Sequence, residues 1–275
     1  MQIWSRSIRA WDGFYAFSFS VSACFVCWAL SFAASLGPGV QVTILPLQFT
    51  INTNSILMAA SSFLPAFYCF VTYPECRSSL WRVDANWKVY AAAVATGLCL
   101  PFTSYLGTHN PAFPWGRLVA NQLVAAFAVN FFLGPFWEEI VWRGCFLNKI
   151  RPLASSSSSI LLMSAGWTLW HGGYIALNYR KGHTISWLIV FVLIVFFMGV
   201  LFGSLFELGR GSIWPSVLAH SSFDAGAVIY YSKDNRTFEL GSYVAELIFV
   251  ATAAGILFRA AILKSSISAS PANGG

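Results

Sequence analysis

Charge is scarce in this chain. Charged side chains make up 9% of 275 residues, and 57% of the residues are hydrophobic. A domain folded in water carries roughly 25% charged residues. So little polar surface excludes an ordinary soluble globule and makes the lipid bilayer the natural solvent. A Lys/Arg-rich run and a base-stacking motif are also lacking, which argues against a nucleic-acid partner. The net charge of +6 sits in short segments between apolar runs. It reads as topology control and contact with membrane lipids of negative charge. The six cysteines imply no disulfide framework. Cys24 and Cys27 form a CxxC, but inside an apolar run with no His or second pair nearby, so redox or metal use of the pair is not expected. The apolar run from Gly13 to about Leu36, behind Arg6 and Arg9, lacks an evident cleavage site and is longer than a signal-peptide core. It is read as a retained helix.

Aromatics are abundant, with 12 Trp and 25 Phe, as suits helices that pack in lipid and anchor at headgroups. A crossing needs about 20 mainly apolar residues. Candidate spans are 13–36, 55–74, 89–107, 118–134, 135–149, 158–178, 185–207, 213–232 and 241–263. The fourth and fifth abut at Gly134-Pro135, where proline removes a helix hydrogen bond. Counting 118–149 as one kinked crossing predicts an all-α, polytopic transmembrane bundle of about eight spans. One domain over 1–264 and a disordered tail over 265–275 are expected, with Ser155 to Ser159 as a flexible connector.

Eight crossings with cytoplasmic N- and C-termini place Arg6, Arg9, Arg77, Arg82, Lys88, Lys149, Arg151, Arg210, Arg259 and Lys264 inside. They place Arg117, Arg180, Lys181, Lys233 and Arg236 outside. The excess lies in the direction of the positive-inside rule.

The remaining charges fall in unusual places. Ionisable groups cost about 2.5–3.5 kcal/mol each in a spanning helix and mark functional sites by default. Here they occur as Glu138, Glu139 and Arg143, then His171, then His220 and Asp224. Glu139 and Arg143 are four apart and can pair on one helix face. Glu138 lies about 100° round the helix, free to point elsewhere. His220 and Asp224 repeat the spacing, so the carboxylate can orient the imidazole. Trp167 and His171 repeat it again, which sets a large ring beside the first histidine. Counting about 1.5 Å per residue from the inner ends puts Glu138 roughly 16 Å deep, His171 roughly 20 Å and His220 roughly 12 Å, compatible with one site.

Plainer roles exist for each group: a structural ion pair for Glu139–Arg143, an interhelical hydrogen bond for a lone histidine, a satisfied neighbour for Asp224. Together these roles weaken, because two adjacent buried carboxylates repel. A carboxyl group held beside imidazoles is the equipment of general acid–base chemistry. Asn121 and Asn130 read as interhelical hydrogen-bonders, with Asn130 near enough to Glu138 to face a cavity. Glu246 reads as paired or wet near the outer end of the last span.

These residues resemble the CPBP family, the CAAX proteases and bacteriocin-processing enzymes also called Abi proteins. That family shows EExxxR, then FxxxH, then HxxxN or HxxxD, in order, on separate spans. Here the windows are Glu138-Glu139-Ile-Val-Trp-Arg143, Trp167-Thr-Leu-Trp-His171 and His220-Ser-Ser-Phe-Asp224. The motif-bearing core runs over about 118–232, and the first 110 or so residues show compatible hydropathy alone. The resemblance implies an intramembrane glutamic-type endopeptidase acting on a membrane-associated or prenylated (CAAX-type) protein. In it, Glu138 and His171 would activate water, His220 with Asp224 would stabilise the oxyanion, and Glu139 and Arg143 would brace the site. Trp167 stands where the family has Phe, and Asp224 where many members have Asn. An ionised carboxylate cannot donate to an oxyanion as an amide can.

Other intramembrane protease classes lack their marks here: no Gly has Ser two residues on, no Gly precedes Asp, and no His precedes Glu. No cofactor is implied. A zinc-dependent variant of the same hydrolase would use Glu138, His171 and His220. The alternatives of another class are a proton- or ion-coupled transporter and a non-catalytic membrane adaptor or immunity protein. A bacterial cell membrane is the expected location, with a eukaryotic endoplasmic reticulum as the alternative.

Overall fold

The structure, a computed structural model, describes residues 40–44, 47–51, 53–107, 120–180, 182–231 and 240–269, with helical positions between 14 and 29. Much of the first expected span, the Cys24/Cys27 pair, the cations Arg6, Arg9, Arg117, Lys181, Lys233 and Arg236, the side chain of Asn121 and the last six residues lie outside them.

The described fold is helical. The helices are α1 (Thr53–Thr72), α2 (Pro74–Trp81), α3 (Trp87–Gly107), α4 (Ala120–Leu133) and α5 (Pro135–Ile150). They continue as α6 (Ser156–Trp170), α7 (Gly172–Arg180), α8 (Ile185–Leu208), α9 (Trp214–Tyr231) and α10 (Leu240–Ala269). One feature departs from the all-α expectation. Strands β1 (Val40–Ile44) and β2 (Leu47–Ile51) pair antiparallel, with Val40 opposite Ile51. The two segments are rich in Val, Ile and Thr, which favour extended backbone.

Among the described residues, α8 and α10 are each long and apolar enough to cross a membrane. The pair Leu123–Leu133 and Pro135–Ile150, bent by 46°, makes a third as a broken span or a re-entrant loop. Of the eight crossings expected from hydropathy, these two or three stand by length and composition alone. The apolar side chains Val124, Phe132, Leu169, Ile189, Ile248 and Ile256 are exposed on the bundle, an outer surface suited to lipid.

The core is built on α8, which packs against α10 and α6, while α9 lies against α3 and α4. Leu201, Phe202, Leu205 and Phe206 of α8 are fully buried. Close crossing of α8 and α6 depends on Gly199 and Gly203, four apart. A Cβ at Gly199 would meet the Ser164 side chain at 2.9 Å, and one at Gly203 would meet Met163 at 2.9 Å. Small residues at this spacing let helices approach in lipid. Cys69, Cys76 and Cys145 are buried free thiols. Burial pushes the Cys76 thiol up to about 12, in line with cysteine used as a small hydrophobe.

Several local expectations change. Ser155 is a helix cap whose Oγ accepts from the Ser158 N–H at 3.2 Å, and Ser156 to Ser159 form the first turn of α6 rather than a flexible connector. Serine is favoured at that cap because its oxygen satisfies an orphan N–H. At the other end, α10 runs past Lys264 to Ala269. Asn130 donates to the Ala126 carbonyl of its own helix at 2.8 Å, not across to a neighbour. Lys149 is buried at the end of α5, paired with Glu75 at 2.8 Å and set over the Tyr73 ring.

Candidate active site

The break before Pro135 starts the site. Gly134 separates α4 from α5, and proline at the first position of α5 suits a helix start, where its missing N–H is not needed. Five residues on, the winding widens to a π-helix over Ile140–Leu147, a form that recurs at functional sites. Glu138 and Glu139 sit just before that change and diverge, as the 100° offset predicts.

Glu139 turns into the protein. Its Oε1 accepts from Arg143 Nη1 at 2.9 Å and lies 3.0 Å from His220 Nδ1, with both charged partners fully buried. A carboxylate accepts, so His220 donates through Nδ1 and presents Nε2 elsewhere. Arg143 also donates to the Gly199 carbonyl at 3.3 Å and lies between the Trp167 and Phe202 rings, 4.9 and 5.3 Å from their centroids. Removing one member of a buried pair typically costs about 3–5 kcal/mol, because a buried charge loses its partner.

Glu138 faces a cavity. Its Oε2 accepts from the Trp167 indole N–H at 3.0 Å. The Trp167 ring meets His171 edge to face with centroids 4.7 Å apart and His220 at 5.5 Å. One indole from α6 therefore touches the carboxyl group of α5, the imidazole at the end of α6 and the imidazole of α9.

His171 closes α6. The expected single span over 158–178 is broken there, because Gly172 and Gly173 follow it and glycine weakens helix. His171 Nδ1 lies 2.8 Å from the Trp167 carbonyl. The carbonyl can only accept, so Nδ1 carries the hydrogen and Nε2 keeps its lone pair.

Glu138, Trp167, His171, His220 and Asp224 line one cavity of about 410 Å³. Asp224 stands where the i, i+4 spacing places it, but its Oδ2 is 3.9 Å from His220 Nε2. That is beyond hydrogen-bond reach. The hydrogen bond that orients His220 comes from Glu139. Asp224 remains near enough to pair with a charged His220, and spacing along one helix could not reveal the bond to a residue 81 positions away.

The remaining wall is largely apolar, with Phe191, Ile194, Val195 and Met198 of α8. Ser61, Tyr174, Tyr243 and Glu246 add polar groups that motif reading did not assign to the site. Glu246 is 3% exposed, and an acid within a span was the signal for it. Among the described residues, no group of three or more His, Cys, Asp or Glu is gathered to hold a metal ion. Glu138 Oε2 and the Nδ1 atoms of His171 and His220 are engaged by Trp167 and Glu139, which leaves Nε2 of each imidazole towards the cavity.

Residues 120–226 match the family model described as type II CAAX prenyl endopeptidase Rce1-like. This stretch resembles Rce1-like domains. The matched stretch spans α4 to most of α9, contains all three motif windows, and agrees with the CPBP resemblance of those windows. No curated protein matches the chain. The likeness to a CAAX protease model and the apolar helices agree with an integral membrane protein.

Proposed function

We propose that the chain hydrolyses a peptide bond of a membrane-anchored or prenylated protein with water activated by Glu138 and His171, without a resident metal. The observation that carries this reading is the Trp167 hub, which gathers Glu138 and both imidazoles around one cavity. In this reading water sits between the Glu138 carboxylate and His171 Nε2. As its oxygen attacks the carbonyl carbon, its proton passes to these groups. A doubly protonated His220, held through Nδ1 by Glu139, donates Nε2–H to the carbonyl oxygen as negative charge develops there. The proton then moves to the leaving amine as the C–N bond breaks. Asp224 shapes the charge beside Nε2, and the apolar wall of α8 receives the hydrophobic part of the substrate. The topology that goes with it is eight crossings with both termini cytoplasmic.

The test is quantitative proteomics of host membranes carrying wild type or Glu138→Ala at equal abundance. An uncleaved membrane-bound precursor accumulates with Glu138→Ala. Identical protein termini in the two membranes contradict the reading.

A further inference from the structure

A second cavity, of about 510 Å³, lies at the far ends of α8 and α10 and the start of α3, and is lined by Asp84, Asn86, Lys88, Val89, Leu208, Arg210 and Lys264. It shares no lining residue with the cavity of Glu138. Three cations, from segments more than 50 residues apart in sequence, meet there against the Asp84 carboxylate of the lining, with Glu207, itself paired to Arg151 at 2.9 Å, also acting on Lys264. Like charges brought together repel unless an anion joins them. The charge count along the sequence places all three of these segments on the cytoplasmic side, where the membrane surface is anionic.

The backbone around this cavity removes what would repel an anion. A helix C-terminus exposes carbonyl oxygens that carry partial negative charge. At the end of α8, Lys264 Nζ donates to the Leu208 carbonyl at 2.9 Å, and Arg82 donates to the Arg210 carbonyl. Arg210 and Gly211 both adopt positive φ, 59° and 83°, so the chain curls at once from α8 towards α9. Lys264 keeps two further N–H groups, and the Arg210 and Lys88 side chains add their own. Val89 and Leu208 give the cavity an apolar edge, and Leu263 beside Lys264 is exposed. A soluble anion has no use for such an edge, whereas a lipid has.

We infer that this cavity binds the phosphate group of an anionic membrane lipid, held by Lys88, Arg210 and Lys264. The inference is independent of the peptidase reading.

Purified full-length protein in mild detergent is incubated with phosphatidylglycerol or phosphatidylcholine and read by native mass spectrometry. A parallel arm measures the melting temperature with inorganic phosphate. Wild type retains phosphatidylglycerol over phosphatidylcholine. The double variant Arg210→Gln, Lys264→Gln loses that preference by about tenfold in occupancy. Arg259→Gln, which lies outside the cavity, keeps it. If inorganic phosphate instead stabilises wild type but not the double variant, with no lipid preference, the site takes a soluble phosphate and the lipid assignment is overturned. Equal lipid occupancy and no phosphate effect in wild type and the double variant overturn the site itself. Lys88→Gln alone serves as the second variant should the double variant fold poorly.

Discussion

Trp167 does two things that a phenylalanine could not do together. Its ring packs against both imidazoles, and its indole N–H donates to Glu138. Phenylalanine at that position would keep most of the packing and lose the donor. A hydrogen bond to a charged group is worth about 1.5–3 kcal/mol, a factor of roughly 10 to 100 in rate if it acts in the transition state. Trp167→Phe is therefore expected to lower kcat by about that factor with KM little changed, measured on purified protein with a cleavable membrane peptide. An unchanged kcat would make the indole a packing ring alone. Side-chain pairs on one helix were legible in the sequence: Glu139–Arg143 closes at 2.9 Å as its spacing predicts. Bonds between helices were not, because spacing carries no information on them. The Glu139–His220 bond and the cavity position of Glu246 both belong to that class.

At the scale of elements, the site depends on how closely the helices approach. Gly97 of α3 faces α9 beside His220: a Cβ there would stand closer than van der Waals contact to the backbone oxygen of Ala219 and 2.7 Å from the Ser222 side chain. Backbone cannot swing aside as a flexible side chain can. Gly97→Ala is expected to push α9 away, destabilise the protein by about 1–3 kcal/mol, and reduce cleavage by displacing His220. Gly255→Ala, where nothing lies within 4 Å, should leave melting temperature and activity unchanged. A Gly97→Ala protein with wild-type melting temperature and activity would contradict this account of the crossing. Hydropathy located α8 and α10 well because long apolar runs have one cheap environment. It merged α6 and α7 across His171, since apolarity does not report the break that Gly172 and Gly173 introduce. It passed over the hairpin of β1 and β2 because short apolar runs suit strand and helix alike.

At the scale of the whole molecule, three polar windows on α5, α6 and α9 converge on one cavity among the described helices. The expense of those groups in lipid is consistent with a use that needs them together. The likeness of residues 120–226 to an Rce1-like CAAX endopeptidase model covers all three windows. The decisive measurement is cleavage of a farnesylated CAAX-type peptide by protein reconstituted in liposomes after exhaustive chelation, comparing wild type with Glu138→Ala and His171→Ala. The account predicts that chelated wild type releases the C-terminal fragment, and that each variant, folded and inserted to the same extent, is slower by about 100-fold or more. Cleavage by Glu138→Ala at the wild-type rate would contradict it.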